Sequence, residues 1–156
     1  MYRIVKMKRK YARKIAEWKY GDEYAYCDFL GWKREKKELL CGLYFAVLEG
    51  DDLAGFMSFG ASAQWPSESM RKFYDDETYT DIAMGLEPSR CGKGLGRDFC
   101  NACCSFAKEM FPDDKIRLSV DARNARARAL YEAIGFKLEH CEKFDDREDI
   151  LIYVEK

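Results

Sequence analysis

The stretch from Ile82 to Ala102 limits most tightly what this chain can fold into. It reads as a buried strand, a tight glycine loop and a helix. Ile82-Ala83-Met84-Gly85-Leu86 is apolar, and Pro88 removes a backbone donor and stops the strand. Gly92, Gly94 and Gly96 strip the loop of side chains, so a ligand can reach the backbone. Leu95, Phe99, Ala102, Cys103, Phe106 and Met110 follow at three- and four-residue steps, which predicts a helix with one apolar face. The first turn of such a helix carries amides without internal partners at the positive end of the dipole. Bare amides in a glycine loop at that position bind phosphate. A plain strand–helix turn needs one glycine, not an alternation of them.

Two common phosphate loops do not fit. A Walker A loop needs four residues between Gly and Gly-Lys and then a hydroxyl for magnesium; here Gly94 follows Lys93 and no hydroxyl comes next. A dinucleotide fingerprint needs its third glycine three residues after the second, whereas Gly92-x-Gly94-x-Gly96 alternates.

The chain has 156 residues, enough for one domain with a real core, and residues 1–156 are expected to form one. Its 47% hydrophobic and 35% charged content describes a soluble globular protein. A net charge of −1 argues against nucleic acid or a membrane surface as a partner. No apolar run approaches a membrane span, and Met1-Tyr2-Arg3-Ile4 does not open a signal peptide. Seven cysteines cannot all pair within one chain; without an export signal they are expected as reduced thiols in a cytoplasmic protein. Cys100 and Cys103 form a CxxC inside the predicted helix, with no partner pair at zinc spacing, so no metal is expected. Monomer and homodimer both remain open.

Tyr2 to Met7 alternates as an opening strand, and Lys8 to Tyr20 reads as a helix with Tyr11, Ala12, Ile15 and Ala16 on one side. Eight basic residues from Arg3 to Lys19 suit a solvated helix face, or a patch for RNA or an acidic partner. Trp18, Tyr20, Tyr24, Tyr26, Phe29 and Trp32 either pack under a helical lid or wall a site for an amine. Leu43 to Leu48 and Leu53 to Phe59 form a hairpin about Glu49-Gly50-Asp51-Asp52. Ala61 to Asp76 reads as a long loop, functional or mobile. Thr80 to Leu86 and Lys115 to Val120 are strands, and Asn124 to Ile134 is a helix that Gly135 ends. Lys137 to Lys143 and Asp149 to Glu155 close the chain as two strands.

On the helix from Asn124 to Ile134, Asn124, Ala127, Arg128, Tyr131 and Ile134 share one stripe. Packing explains the alanines but not an Asn and a Tyr on a stripe that faces a sheet. Asn124-x-x-Ala127-Arg128-x-Leu130-Tyr131-Glu132-x-x-Gly135-Phe136 resembles a signature of the GNAT superfamily of N-acetyltransferases at each of those positions. The glycine loop is similar to that family's acetyl-CoA pyrophosphate loop, Gln/Arg-x-x-Gly-x-Gly/Ala. Gly94 and Gly96 match its glycines, Cys91 stands where Gln or Arg is usual, and Arg90 sits one residue early. The first half of the chain carries the family's element order but no motif.

The resemblance implies an α/β fold of the GNAT type: a mixed sheet of six to seven strands, splayed between the fourth and fifth, with about four helices. It implies acetyl-CoA as cosubstrate. Met84, Gly85 and Leu86 would pair with the pantetheine arm, and the amides of Cys91, Gly92, Lys93, Gly94, Leu95 and Gly96 would hold the pyrophosphate. Asn124 would contact the cofactor; Arg97, Arg123 or Arg126 could meet the adenosine phosphates. The implied reaction moves an acetyl group directly onto a primary amine of a small molecule, protein or peptide. Two other readings stay open, a non-catalytic acyl-CoA-binding regulatory domain and acetylation of an RNA-linked amine such as aminoacyl-tRNA. Transfer needs a neutral amine, although a lysine-type amine has a pKa near ~10.4 and an α-amine near ~8. It also needs a proton for the departing thiolate. By resemblance, Tyr131 is that acid. Asp81 is the first candidate base, ahead of Glu87, Tyr79, Glu23 and ordered water.

Overall fold

The computed structural model describes residues 1–156. Seven strands alternate with four α-helices: β1 (Tyr2–Lys6), α1 (Arg9–Ala16), α2 (Trp32–Leu39), β2 (Tyr44–Glu49), β3 (Asp52–Phe59), β4 (Tyr79–Leu86), α3 (Gly96–Met110), β5 (Lys115–Asp121), α4 (Ala125–Ala133), β6 (Phe136–Glu142) and β7 (Ile150–Glu155). The strand order in the sheet is β1-β2-β3-β4-β5-β7-β6. β4 and β5 pair in parallel from Tyr79↔Lys115 to Asp81↔Arg117; the register ends there although β4 runs on to Leu86. The mixed seven-stranded sheet with its four helices is the expected architecture. The chain folds as two compact units, Met1–Ser58 with Met84–Cys103, and Phe59–Ala83 with Cys104–Lys156.

In the first unit β1, β2 and β3 form an antiparallel meander, with Ile4↔Val47 and Leu48↔Leu53 in register. Gly50, at φ 62°, makes the turn between β2 and β3. Ala12, Ile15 and Ala16 of α1 and Leu39 of α2 pack with Ala46, Leu48 and Leu53. Ile15 and Leu39, at 0% and 1% exposure, each contribute on the order of 1.5–3 kcal/mol by burial.

The helix α1 stops at Ala16, four residues short of the expected end. The Gly31 N–H donates to the Ala16 carbonyl at 3.1 Å, and Gly21 turns the chain at φ 69°. Half of the aromatic cluster packs against the core. Trp18, Phe29 and Trp32 pack against the buried residues of this unit, and the Phe29 and Phe56 rings meet edge to face at 5.3 Å. Arg9 and Arg13 lie over the Trp32 ring at 5.5 and 4.7 Å. Along α3 the fully buried positions are Phe99, Cys100, Cys103 and Ala107, while Met110 is 45% exposed. The apolar row is thus turned by about one residue from the expected stripe, because a thiol in Cys100 packs as a small hydrophobe.

In the second unit the segment expected to be an open loop is packed. Two 3₁₀ turns, Gly60–Ala63 and Glu68–Phe73, organise it, and Met70 is wholly buried with Ile150, Ile152 and Val154 of β7. The Trp65 N–H donates to Tyr74 Oη at 2.9 Å, and Tyr74 Oη lies 2.7 Å from Ser119 Oγ. No helix is long and apolar enough to cross a membrane.

Glycine is required where β3 approaches β4. A Cβ on Gly55 would lie 2.5 Å from the Gly85 carbonyl oxygen and from the Phe99 ring. A Gly55→Ala substitution is therefore expected to destabilise the fold by about 1–3 kcal/mol through overpacking. Urea unfolding checks this, and an unchanged midpoint would show that the strands part at no cost.

Candidate active site

In the first unit β4 delivers Met84, Gly85 and Leu86, all half-buried, to the start of the glycine loop. Gly85 packs under Phe56, whose ring occupies the space a Cβ would need. The Leu86 carbonyl accepts from Tyr20 Oη at 3.0 Å and, at 3.7 Å, from Cys91 Sγ. Burial pushes the Tyr20 phenol well above its ordinary pKa, with Cys91 and Cys27 adding to the effect. The phenol is therefore a constant donor across the physiological range. The next amide, Glu87 N–H, donates to the Ala54 carbonyl at 2.8 Å.

Pro88–Arg90 forms one 3₁₀ turn, and α3 begins at Gly96. Between them Gly92 has φ 73° and Gly94 φ 77°, a conformation that L side chains rarely adopt. Gly92, Lys93 and Gly94 are exposed, and a Cβ on Gly94 would meet no atom within 4 Å. The loop thus offers open space over its backbone at the start of a 15-residue helix, the setting that binds anions. The residues present fit a pyrophosphate. Arg90 does not reinforce them. Its Nη1 donates to Glu49 at 2.6 Å and its Nε to Glu87 at 3.2 Å, so its charge is already matched.

The second unit carries Asp81, Asn124 and Tyr131. Asn124 caps α4: its Oδ1 accepts from the Ala127 N–H at 3.1 Å. Gly135 closes the other end at φ 108°. Tyr131 is 8% exposed, with its ring 6.3 Å from Phe136 and 6.0 Å, edge-on, from Tyr153. Tyr153 Oη in turn donates to Glu132 at 2.8 Å, which helps fix α4 against β7. Arg123 is held by Asp121 through bonds of 3.1 and 2.8 Å.

Asp81 has a different setting from that of an exposed base. It is 5% exposed, and Arg117, at 3%, grips it through Nε–Oδ1 at 2.6 Å and Nη2–Oδ2 at 2.8 Å. Gln64 Nε2 donates to Oδ2 at 3.0 Å. Tyr74 and Tyr79 flank the guanidinium at 5.4 and 5.1 Å. Both carboxylate oxygens of Asp81 are thus committed, to Arg117 and Gln64. Among the alternatives, Glu87 accepts from Ser89 Oγ and Arg90 Nε, and Glu23 is exposed on a 3₁₀ turn. The sequence carried no signal for the burial of Arg117: the alternation of Lys115 to Val120 groups it with Lys115 and Ser119, opposite Ile116, Leu118 and Val120. Tyr20 left no signal either, since its partner is a backbone carbonyl.

Residues 3–137 match the family model described as an acetyltransferase (GNAT) domain, and the chain belongs to that family. Over 102 residues it is 29% identical to the spermine/spermidine N(1)-acetyltransferase of Bacillus subtilis, covering 62% of this chain and 57% of that protein. Over 65 residues it is 37% identical to the mycothiol acetyltransferase of Beutenbergia cavernae, covering 42% of this chain and 22% of that protein. The chain thus matches just over half of one curated relative's length and under a quarter of the other's. A GNAT-family acetyltransferase of Bacillus anthracis shares the fold, with a TM-score of 0.72 at 17% identity over 98% of this chain and 93% of that one. Membership implies acetyl-CoA as the acyl donor.

A buried pair should be costly to break on one side. Arg117→Met leaves the Asp81 carboxylate without its cation and is expected to cost about 3–5 kcal/mol in chemical denaturation. Replacing both partners, Arg117→Met with Asp81→Leu, is expected to recover most of that loss. A single variant as stable as the parent would show that the pair is idle.

Proposed function

We propose that the chain is an N-acetyltransferase that moves an acetyl group from acetyl-CoA directly to a primary amine, with residues 1–156 acting as one acyltransferase domain. The observation that carries this reading is the glycine loop: two left-handed glycines and open backbone at the head of α3, in a chain of this family. Acetyl-CoA supplies the thioester that the amine attacks. The amides from Cys91 to Gly96 bind its pyrophosphate, and the backbone of Met84, Gly85 and Leu86 pairs with its pantetheine arm. Asn124 contributes a further polar contact. Tyr131 gives its phenolic proton to the sulfur as the carbon–sulfur bond breaks and the carbon–nitrogen bond forms. The amine proton leaves through water and solvent restores the phenol. The Bacillus subtilis relative makes a polyamine the first acceptor to test. A cytoplasmic setting suits seven cysteines of which none is in a disulfide.

Gly94→Val tests the donor site. A branched side chain at φ 77° strains the loop and covers its amides. Affinity for acetyl-CoA is expected to fall at least about tenfold by calorimetry, the loss of one good charge-assisted hydrogen bond or more. Unchanged affinity in a folded variant would put the pyrophosphate elsewhere.

Tyr131→Phe tests the acid. It keeps the ring, so packing should survive. With spermidine as acceptor, turnover is expected to fall ~10- to 10³-fold while affinity for acetyl-CoA holds. The deficit should narrow as pH rises past ~8.5, where a thiolate leaves without a donor. Parental turnover across the pH series would return Tyr131 to a packing role.

A further inference from the structure

The charge of the chain is divided along its length. The first 40 residues hold twelve Lys and Arg against six Asp and Glu, and the remaining 116 hold fifteen against twenty-two, so the net −1 averages two opposed parts. Residues 1–16 hold seven cations and no acid. All twelve cations of the first 40 residues are exposed. Arg3 alone of them reaches a carboxylate, Asp51 at 4.0 Å. Elsewhere Lys72, Arg90, Lys108, Arg117, Arg123 and Arg147 are each ion-paired.

This arrangement works against the helices that carry it. Lys8 precedes α1, and Arg9 and Lys10 open its first turn with no acid beside them, at the positive end of the dipole. Arg9 with Arg13, Lys10 with Lys14 and, on α2, Lys33 with Lys37 stand four residues apart, where like charges repel. Glu17, which ends α1, accepts instead from the Trp32 N–H at 2.9 Å. The cations are nonetheless held in place. The guanidiniums of Arg9 and Arg13 lie over the Trp32 ring at 5.5 and 4.7 Å, and Lys10 Nζ lies over the Tyr11 ring at 4.9 Å. A guanidinium stacked by its face keeps its edge N–H groups free for an anion.

The outward side of α1 offers charge and little else. Ala12, Ile15 and Ala16 are buried, and Tyr11 packs against the same core. A protein interface is built round an apolar centre. A helix lying in a lipid surface needs an apolar face to insert, and α1 has turned its own to the sheet. Phosphate contacts need only cations within reach. We propose that Lys6, Lys8 and the exposed cations of α1 form a surface that binds the phosphate backbone of RNA. Such contacts carry no sequence information, so binding is independent of sequence. In the cytoplasmic setting proposed above, RNA is the abundant phosphate polymer.

The test titrates the full chain into a labelled oligouridylate of about 20 nucleotides at about 50 mM salt, read by fluorescence anisotropy. Binding is expected, and its logarithm should fall linearly with the logarithm of salt, with a slope of about −3 to −4 for four to six phosphate contacts. Lys8→Glu with Lys10→Glu is expected to weaken binding at least about tenfold and to make the slope shallower by about 1.4, the share of two contacts. The same double variant should melt no lower than the parent, because acids at the start of α1 suit the dipole and an acid at position 10 faces Lys14. Lys143→Glu, an exposed cation of the second unit, is expected to leave RNA binding unchanged. Tighter binding of polyglutamate, of phosphatidylserine vesicles or of the matching oligothymidylate would give the surface to a protein, a membrane or DNA and overturn the proposal. So would no binding at low salt, a slope near zero, indifference to the double variant, or equal weakening by Lys143→Glu. None of these outcomes depends on the acetyl-transfer reading.

Discussion

The fit of two glycines against two phenylalanines fixes the part of the chain that carries the glycine loop. Gly55 lets Phe99 and the Gly85 carbonyl come close to β3, and Gly85 lets Phe56 lie on β4. Phe99 sits in the first turns of α3 and is 3% exposed; Tyr2 meets its ring edge-on at 5.6 Å. The loop from Glu87 to Leu95 is therefore anchored at both ends by packing. Left-handed glycines in an unanchored loop would sample many shapes and lose conformational entropy on binding. A loop held at both ends has less freedom to lose on binding.

Electrostatics near the loop follow the same logic of commitment. Arg90 is the nearest arginine in sequence to the motif position, yet it is shared between Glu49 and Glu87. Those pairs hold the turn at Pro88–Arg90 against β2 and leave the Arg90 charge matched. Tyr20 does comparable work from the α1–α2 connection. Its N–H donates to Asp28 at 2.6 Å and its hydroxyl to the Leu86 carbonyl. The connection is thereby tied to the strand end that precedes the loop.

Much of this was legible in the sequence because it rests on local rules. The alternation of Lys115 to Val120, the stripe from Asn124 to Ile134 and the hairpin about Gly50 specify their own elements through periodicity and turn chemistry. Gly135 at a helix end and the glycine loop before α3 carry a backbone requirement that is visible as composition. What was hidden depends on partners far apart in the chain. The segment from Ala61 to Asp76 looks like a loop because its burial comes from single residues, Met70 above all, and not from a period. The setting of Asp81 could not be read from its own strand, since Arg117 lies 36 residues away. The packing of Trp18 and Phe29 was equally non-local, because both rings meet Phe56 of β3.

The departure at Cys91 bears on how the loop can work. A Gln or Arg side chain at that position adds one directed bond to a phosphate, worth about 1.5–3 kcal/mol when charged. The Cys91 thiol instead points back to the Leu86 and Glu87 carbonyls, at 3.7 and 3.6 Å. It closes the turn from inside, and in the proposed donor site anion recognition falls to the backbone. Several amides converging at a helix start can offset one missing side chain, since each bond to a charged oxygen is of similar size and the dipole adds about 0.3–1 kcal/mol. Backbone amides do not titrate and need no rotamer to be frozen, so the proposed site exchanges a flexible cation for a fixed cradle. That exchange is tolerable only where the cradle is already rigid, which returns the burden to Gly55, Gly85 and the rings packed on them.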